Sequence, residues 1–525
     1  MINYQIYSEI IILKRKNKGK EINMNNKIEE KEKGLISYNE TDVYAFVPQC
    51  IDNQFIPESL IKNFNPEDKS HQTKRYNETR KELIRSMIYS AQIIVNRIAF
   101  FNNDVFISFY NSDEDKKALI ELFNQHRIIP ALFNEKNFKS DSINKNQFSF
   151  VDPNKLKIAF DFLDNEVRDS DVNYIRCSDD KDVFSIFKSY FSQFFNEFRF
   201  ISEEDTERIY SEINPLYSLN SKTKKQNIEN FMNHLKYIYS DYMIKSEIAA
   251  NNNRTLGRED YYKYWIVKED STVADMHIDY KKNFVVETKK LIDLAYNYNM
   301  ANSHKRYFFA PENMPTPLAL NSSLRQDIRL ANEDGTKDAV LRGNLIYKSQ
   351  KTFHVPNTEK LSLPQVVLIQ KTDEWKSYIK KQREVFDNPL KWNENTVKEY
   401  STVLGNLYIK IKTDYKDFPF YENVYYNVHI LIKIIDLHSE FFGLNEIATV
   451  INVLDSLMEL TKERVIRGVI KIKQSILNEK KEIIEEFSTG LRSFELSSDD
   501  LKELKRNFSA VEIINKKSKE SNAQR

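Results

Sequence analysis

The sequence predicts a mainly α, multidomain protein with a small α/β region near its N-terminus, and three observations carry that expectation. The chain has 525 residues, beyond the roughly 250–300 at which single cores stop growing. It holds only 9 Gly and 13 Pro, too few for a turn-dense all-β fold. Apolar residues recur at the three-and-four helical period over most of its length, whereas strand-like runs cluster before residue 135.

Residues 1–35 are polar and charged and are expected to be a disordered extension. Lys20-Glu21 can be encoded as a ribosome-binding sequence just upstream of Met24, so translation from Met24 is an alternative start. Residues 36–170 form the expected α/β region. Residues 42–47 alternate like a short strand, and residues 77–101 read as one long apolar helix. Strand-like runs at 105–109 and 128–133 flank a helix over 115–126, and residues 134–153 read as a loop.

A helical domain is expected over residues 171–310. In it Phe184, Phe187, Phe191, Phe194 and Phe198 share one helix face, the mark of a helix packed into a core. Further helices are expected over 203–214, 223–243 and 284–300. Residues 311–361 form a Pro-containing connector. Residues 362–525 form a C-terminal helical domain, with two amphipathic helices between 446 and 484.

Charge is balanced, with 78 basic and 77 acidic residues. That balance removes the large basic excess that advertises a nucleic-acid or membrane partner and leaves only a local patch possible. Aromatics reach 13%, enough payload for substantial cores. Two cysteines, Cys50 and Cys177, make no disulfide framework or CxxC pair, so a reducing cytoplasm is expected. No apolar run approaches the ~18–20 residues of a membrane span. Abundant Lys, Asn, Ile, Phe and Tyr point to an AT-rich bacterial or phage-borne gene.

Candidate ligand or partner residues lie on the expected helix 77–101. Arg85, Gln92, Asn96 and Asn103 fall along one narrow polar line, with Arg97 beside it as a bidentate anion donor. A solvent-facing stripe or a structural network gives the same pattern. Arg325 and Arg329, four apart, are a second candidate anion pair. The run 261–268, YYKYWIVK, interleaves aromatics with Lys as single-stranded nucleic-acid surfaces do. His429 and His438 flank Asp436 at no recognised metal spacing, and no Walker, Rossmann or nucleophile-elbow motif is present.

A hairpin over residues 273–290 would set Glu287 and Lys289 on one strand face opposite Asp275 or Asp279. This arrangement is similar to the PD-(D/E)xK nucleases. The resemblance implies Mg²⁺ held by the carboxylates and a lysine that stabilises phosphate charge. The same stretch also reads as helix, with Phe284, Leu291, Ala295 and Tyr298 on one face. Residues 104–133, with DVFISFYNSDED and then RIIPALF, resemble the opening of a TIR domain. That resemblance implies an NAD-cleaving glutamate, for which Glu166 is the nearest candidate, although the family's preceding Trp has no counterpart here.

Two function classes follow. The first is a helical interaction or regulatory protein with a protein partner, in host defence against phage. The second is a Mg²⁺-dependent nuclease. A TIR-like NAD-cleaving effector is the third reading.

Overall fold

The computed structural model describes residues 33–167, 172–177, 207, 210, 224–271, 276–304, 306–312, 361–388 and 394–415, with single positions between 342 and 360. About 60% of them are helical, and the strands form one small parallel sheet. The strands are β1 (Phe46–Pro48), β2 (Ile93–Asn96), β3 (Ile128–Leu132), β4 (Ile175–Arg176) and β5 (Tyr307–Phe309). Their order is β4-β3-β2-β1-β5, every pairing parallel. The chain steps outward from β1 to β4, then returns to add β5 on the other side of β1. That reversal puts the topological switch point of a doubly wound sheet between β1 and β5.

Side chains alternate along each strand between two cores. Phe46, Ile93, Val95, Ile128, Leu132 and Phe309 enter one. Val47, Ile94, Ile129, Ala131, Ile175 and Phe308 enter the other. Strands buried on both faces read as continuous apolar runs, as Ile93-Ile94-Val95 does.

The first core is covered by α1 (Lys69–Tyr89), α2 (Arg97–Asn102), α3 (Asp104–Tyr110), α4 (Asp113–Asn124) and α5 (Pro153–Phe162). The second is covered by α6 (Lys224–Asn251), α7 (Arg258–Trp265) and α8 (Val285–Ser303). Helices α9 (Leu363–Lys371), α10 (Asp373–Asp387) and α11 (Glu394–Asp414) join the first core. The described parts of 36–170 and 171–310 share one sheet, because β4 pairs with β3 and β5 with β1, and those of 362–415 join the core on one of its faces.

The carbonyl end of α1 shows why. Its last carbonyls have no helical partner. Gln370 Nε2 donates to Met87 O at 2.8 Å, Trp375 Nε1 to Ile88 O at 2.8 Å and Gln382 Nε2 to Tyr89 O at 3.1 Å.

Three sequence expectations are corrected. The helix expected over 77–101 is α1, then β2, then α2. Three consecutive β-branched residues, Ile93 to Val95, favour strand over helix, and Asn96 caps α2 through Ile98 N at 3.0 Å. The strand expected over 105–109 is α3, capped by Asn103 Oδ1 on Val105 N at 3.0 Å. The TIR-like opening strand is therefore a helix, while RIIPALF does supply β3. The hairpin expected over 273–290 gives way to α8 from Val285 onward. On a helix, residues two apart diverge by about 200°, so Glu287 and Lys289 do not share a face.

The helices expected over 223–243 and 284–300 are present as α6 and α8, and that over 115–126 as α4. The Phe184–Phe198 stripe and the helices expected between 446 and 484 lie outside the described residues, as do Asp275, Arg325, Arg329, His429, Asp436 and His438. Among the described residues, no helix is long and apolar enough to cross a membrane.

Candidate ligand-binding crevice

The chain leaves β1 at Pro48 and makes a single 3-10 turn, Gln49–Ile51, rather than entering a helix. Asp52 ends that turn. Its Oδ1 accepts from Gln54 N at 3.0 Å, and its carboxylate meets Arg258 of α7, whose Nη2 lies 2.8 Å from Oδ2 and Nη1 3.1 Å from Oδ1. Arg258 Nη2 also reaches Asp293 Oδ1 of α8 at 2.9 Å. Its guanidinium lies over the Tyr296 ring at 3.8 Å.

Asp293 accepts further bonds from Tyr262 Oη and Lys289 Nζ, and Lys289 Nζ donates to Gln54 O at 2.9 Å. Lys289, Asp293 and Asn297 repeat at the i, i+4 spacing of one helix face, and that face meets the turn after β1. Burial opposes the charge of Asp52, but Arg258 holds its carboxyl below the usual carboxylate range. Burial lowers the Lys289 pKa against the pull of Asp293. Two carboxylates and two cations thus neutralise one another, which lets charge stay at the end of a buried sheet.

This network forms the wall and floor of a cavity of about 880 Å³ at the C-terminal ends of β1 and β2. Its lining combines the amides of Asn53, Gln54, Asn96 and Asn297 with Tyr262, Tyr296 and Phe150. The Oε1 of Gln54 is buried without a protein hydrogen-bond partner. Phe150 is 62% exposed at the mouth. Buried acceptors are ordinarily paired, so an orphan in a cavity wall calls for a bound group.

A second cavity of about 620 Å³ shares Asp52 and Asn53 with the first. Polar side chains dominate it, among them Arg75, Asn102, Lys155 and His277.

The residues expected to bind ligand separate into distinct roles. Asn96 lines the first cavity. Arg97 does not. Its Nη1 donates to Glu135 and, at 2.6 Å, to Gln147 Oε1, and its guanidinium lies 5.4 Å over Phe148. Arg97 therefore pins the loop that carries Phe150 over the strand ends. Arg85 is a buried clamp rather than a ligand group: its nitrogens donate to Glu82, to Gln350 O and Phe353 O, and to Ala310 O. Gln92 accepts from Asp42 N at 2.7 Å, before the N-terminal ends of β1 and β2. Asp279 caps a turn through Lys281 N at 3.1 Å. Glu166 is exposed on the turn Leu163–Val167.

Among the described residues, no three His, Cys, Asp or Glu side chains gather as metal ligands. Comparison with protein-family models, with curated proteins and with solved structures finds no significant match.

Sequence reasoning missed Asp52, Arg258 and Asp293. Asp52 and Arg258 are 206 residues apart, so their pairing left no local trace. The available signal was Lys289, Asp293 and Asn297 at helical spacing in an apolar stretch. Sequence also hid the approach of Cys177 Sγ to His304 Nδ1, at 3.6 Å. Both groups are buried and line neither large cavity.

Proposed function

We propose that this protein binds a small, ring-bearing polar molecule of nucleoside size in the crevice beyond β1 and β2. The observation that carries the reading is the unpaired Gln54 Oε1 in a cavity beyond the C-terminal ends of β1 and β2. Open α/β sheets place ligands there, and about 880 Å³ falls within the usual range of roughly 300–1,000 Å³ for small-molecule pockets.

The lining suits a heterocycle. Amide side chains match the donor and acceptor edges of a base, and aromatic rings stack on its face. Glu259 and Asp260 line the same cavity beside the neutralised Asp52–Arg258 pair, so a neutral or cationic ring is preferred over a polyanion. The turn after β1 lacks glycine and is not followed at once by a helix N-terminus, so a Rossmann-type phosphate cradle is missing there. Calorimetric titration of nucleosides tests the reading. Binding weakened about tenfold by Gln54→Leu supports it, in line with loss of one hydrogen bond. A panel that shows no binding contradicts it.

A second reading, a partner-binding helical surface, is favoured by α6. Tyr237, Ile244 and Ile248 are exposed there at spacings of 7 and 4, one face of the helix. A partner recovered with the parent protein and lost with Ile244→Glu supports it; equal recovery contradicts it. The proposal of a defence role rests on composition, and unchanged plaque numbers across diverse phages count against it.

A further inference from the structure

Arg75, like Arg127, is a desolvated arginine with a backbone acceptor and no carboxylate at ion-pair distance, and it borders a large cavity. Arg85, Arg97 and Arg258 each face a carboxylate. Arg75 reaches only the backbone oxygen of Asn53 and lies 5.7 Å over the Phe64 ring. Among the described residues, no carboxylate stands within the 4.0 Å ion-pair distance of it. Desolvation leaves its charge uncompensated, and Asp104 and Asp52 act on it only from further away. A desolvated guanidinium without a counter-ion is costly, and its planar fork suits oxyanions.

Three of the charges around it are already paired. Lys155 Nζ lies 2.6 Å from Asp104 Oδ1, and Asp52 is held by Arg258. His277 Nε2 lies 3.8 Å from Glu67 Oε1. Asn102 adds an amide to the lining. Of the two charges left, Glu67 stands largely in solvent, 79% exposed, and Arg75 is the desolvated one. The chamber meets the ring-binding cavity at Asp52 and Asn53, and Arg75 holds the backbone of that shared wall.

We infer that the second chamber receives an oxyanion carried by the ring-bearing ligand, so that the two cavities together take a nucleoside monophosphate. This inference rests on the reading of the first cavity as a heterocycle site. Arg75 supplies the fork, Asn102 a neutral donor, and the Asp52–Asn53 wall the bend between ring and phosphate.

The test is a set of calorimetric titrations with nucleosides, the matching 5′-monophosphates and inorganic phosphate. Charge-assisted hydrogen bonds give the monophosphate an expected advantage of about ten- to hundredfold over the nucleoside. Arg75→Gln removes that advantage, so that nucleoside and monophosphate bind the variant alike, and Arg75→Lys restores part of it. Asn102→Asp leaves Arg75 in place but adds a negative charge, so it weakens the monophosphate alone and keeps the test open if Arg75→Gln does not fold. Equal affinity for nucleoside and monophosphate overturns the inference and leaves the ring site standing. Binding of inorganic phosphate that Arg75→Gln abolishes, with no nucleoside binding, supports the anion chamber and overturns the ring site. No binding of any probe overturns both.

Discussion

Arg75 and Arg85 stand on one helix, α1, in opposite conditions. Arg85 is fully buried, and its donors are taken up by Glu82 and by three backbone carbonyls from distant segments. Arg75 borders a polar cavity with one backbone acceptor and no carboxylate at ion-pair distance. The difference teaches that a buried arginine is read by what its donors already hold. A saturated one organises the fold, and an unsaturated one beside a cavity is available to a ligand.

Substitution breaks or sharpens that contrast. Arg85→Ala leaves the Glu82 carboxylate buried and unpaired and three carbonyls without a donor, a loss of about 3–5 kcal/mol. Arg75→Ala frees a carbonyl that faces a cavity water can enter, a loss of about 1 kcal/mol. Urea unfolding of both variants compares them directly, and equal losses would erase the distinction.

The same contrast separates two histidines. His304 is buried beside Cys177 and Tyr38, and burial, with Arg306 nearby, lowers its pKa to about 4. His277 is half-buried on the second cavity. The unfolded chain binds a proton at His304 below about 6.5, whereas the folded chain stays neutral there until about 4. Stability therefore falls as pH drops through that window, by about 2 kcal/mol between pH 7 and pH 5. His304→Gln removes that contribution and leaves the similar one of His234, whose pKa burial also lowers to about 4; melts at the two pH values decide.

The smallest effect on stability belongs to Phe150. Its ring is 62% exposed, so Phe150→Ala changes stability by less than about 0.5 kcal/mol. Its loss removes a stacking face worth about 1–3 kcal/mol per base, so nucleoside affinity drops about tenfold or more. An affinity unchanged by this substitution would take Phe150 out of the site.

The helices were legible where apolar residues kept the 3.6 period, as in α4, α6 and α8. The sheet was legible only in part. β3 stood out as a short apolar run, but β2 was absorbed into a neighbouring helical pattern because a strand buried on both faces has no alternation to reveal it. The run Ile93-Ile94-Val95 between Ser90 and the capping Asn96 was the clue. β5 lies far from the other strands in sequence, and only the assembled sheet shows that it flanks β1.

Of the site, Asn96, Arg97 and Lys289 were visible as polar groups on apolar segments. Their roles were not. Lys289 is tied to Asp293 four residues on rather than to a carboxylate across a hairpin. The cavity itself is built from the turn after β1, the start of α7 and the middle of α8, a meeting that no local pattern encodes.

The most direct test of the ring-binding crevice is amide hydrogen exchange with and without a saturating nucleoside. The account predicts added protection in three separated segments, residues 49–55, 145–151 and 255–262, with α10 unchanged. Protection confined to other segments, or none at all, would contradict it.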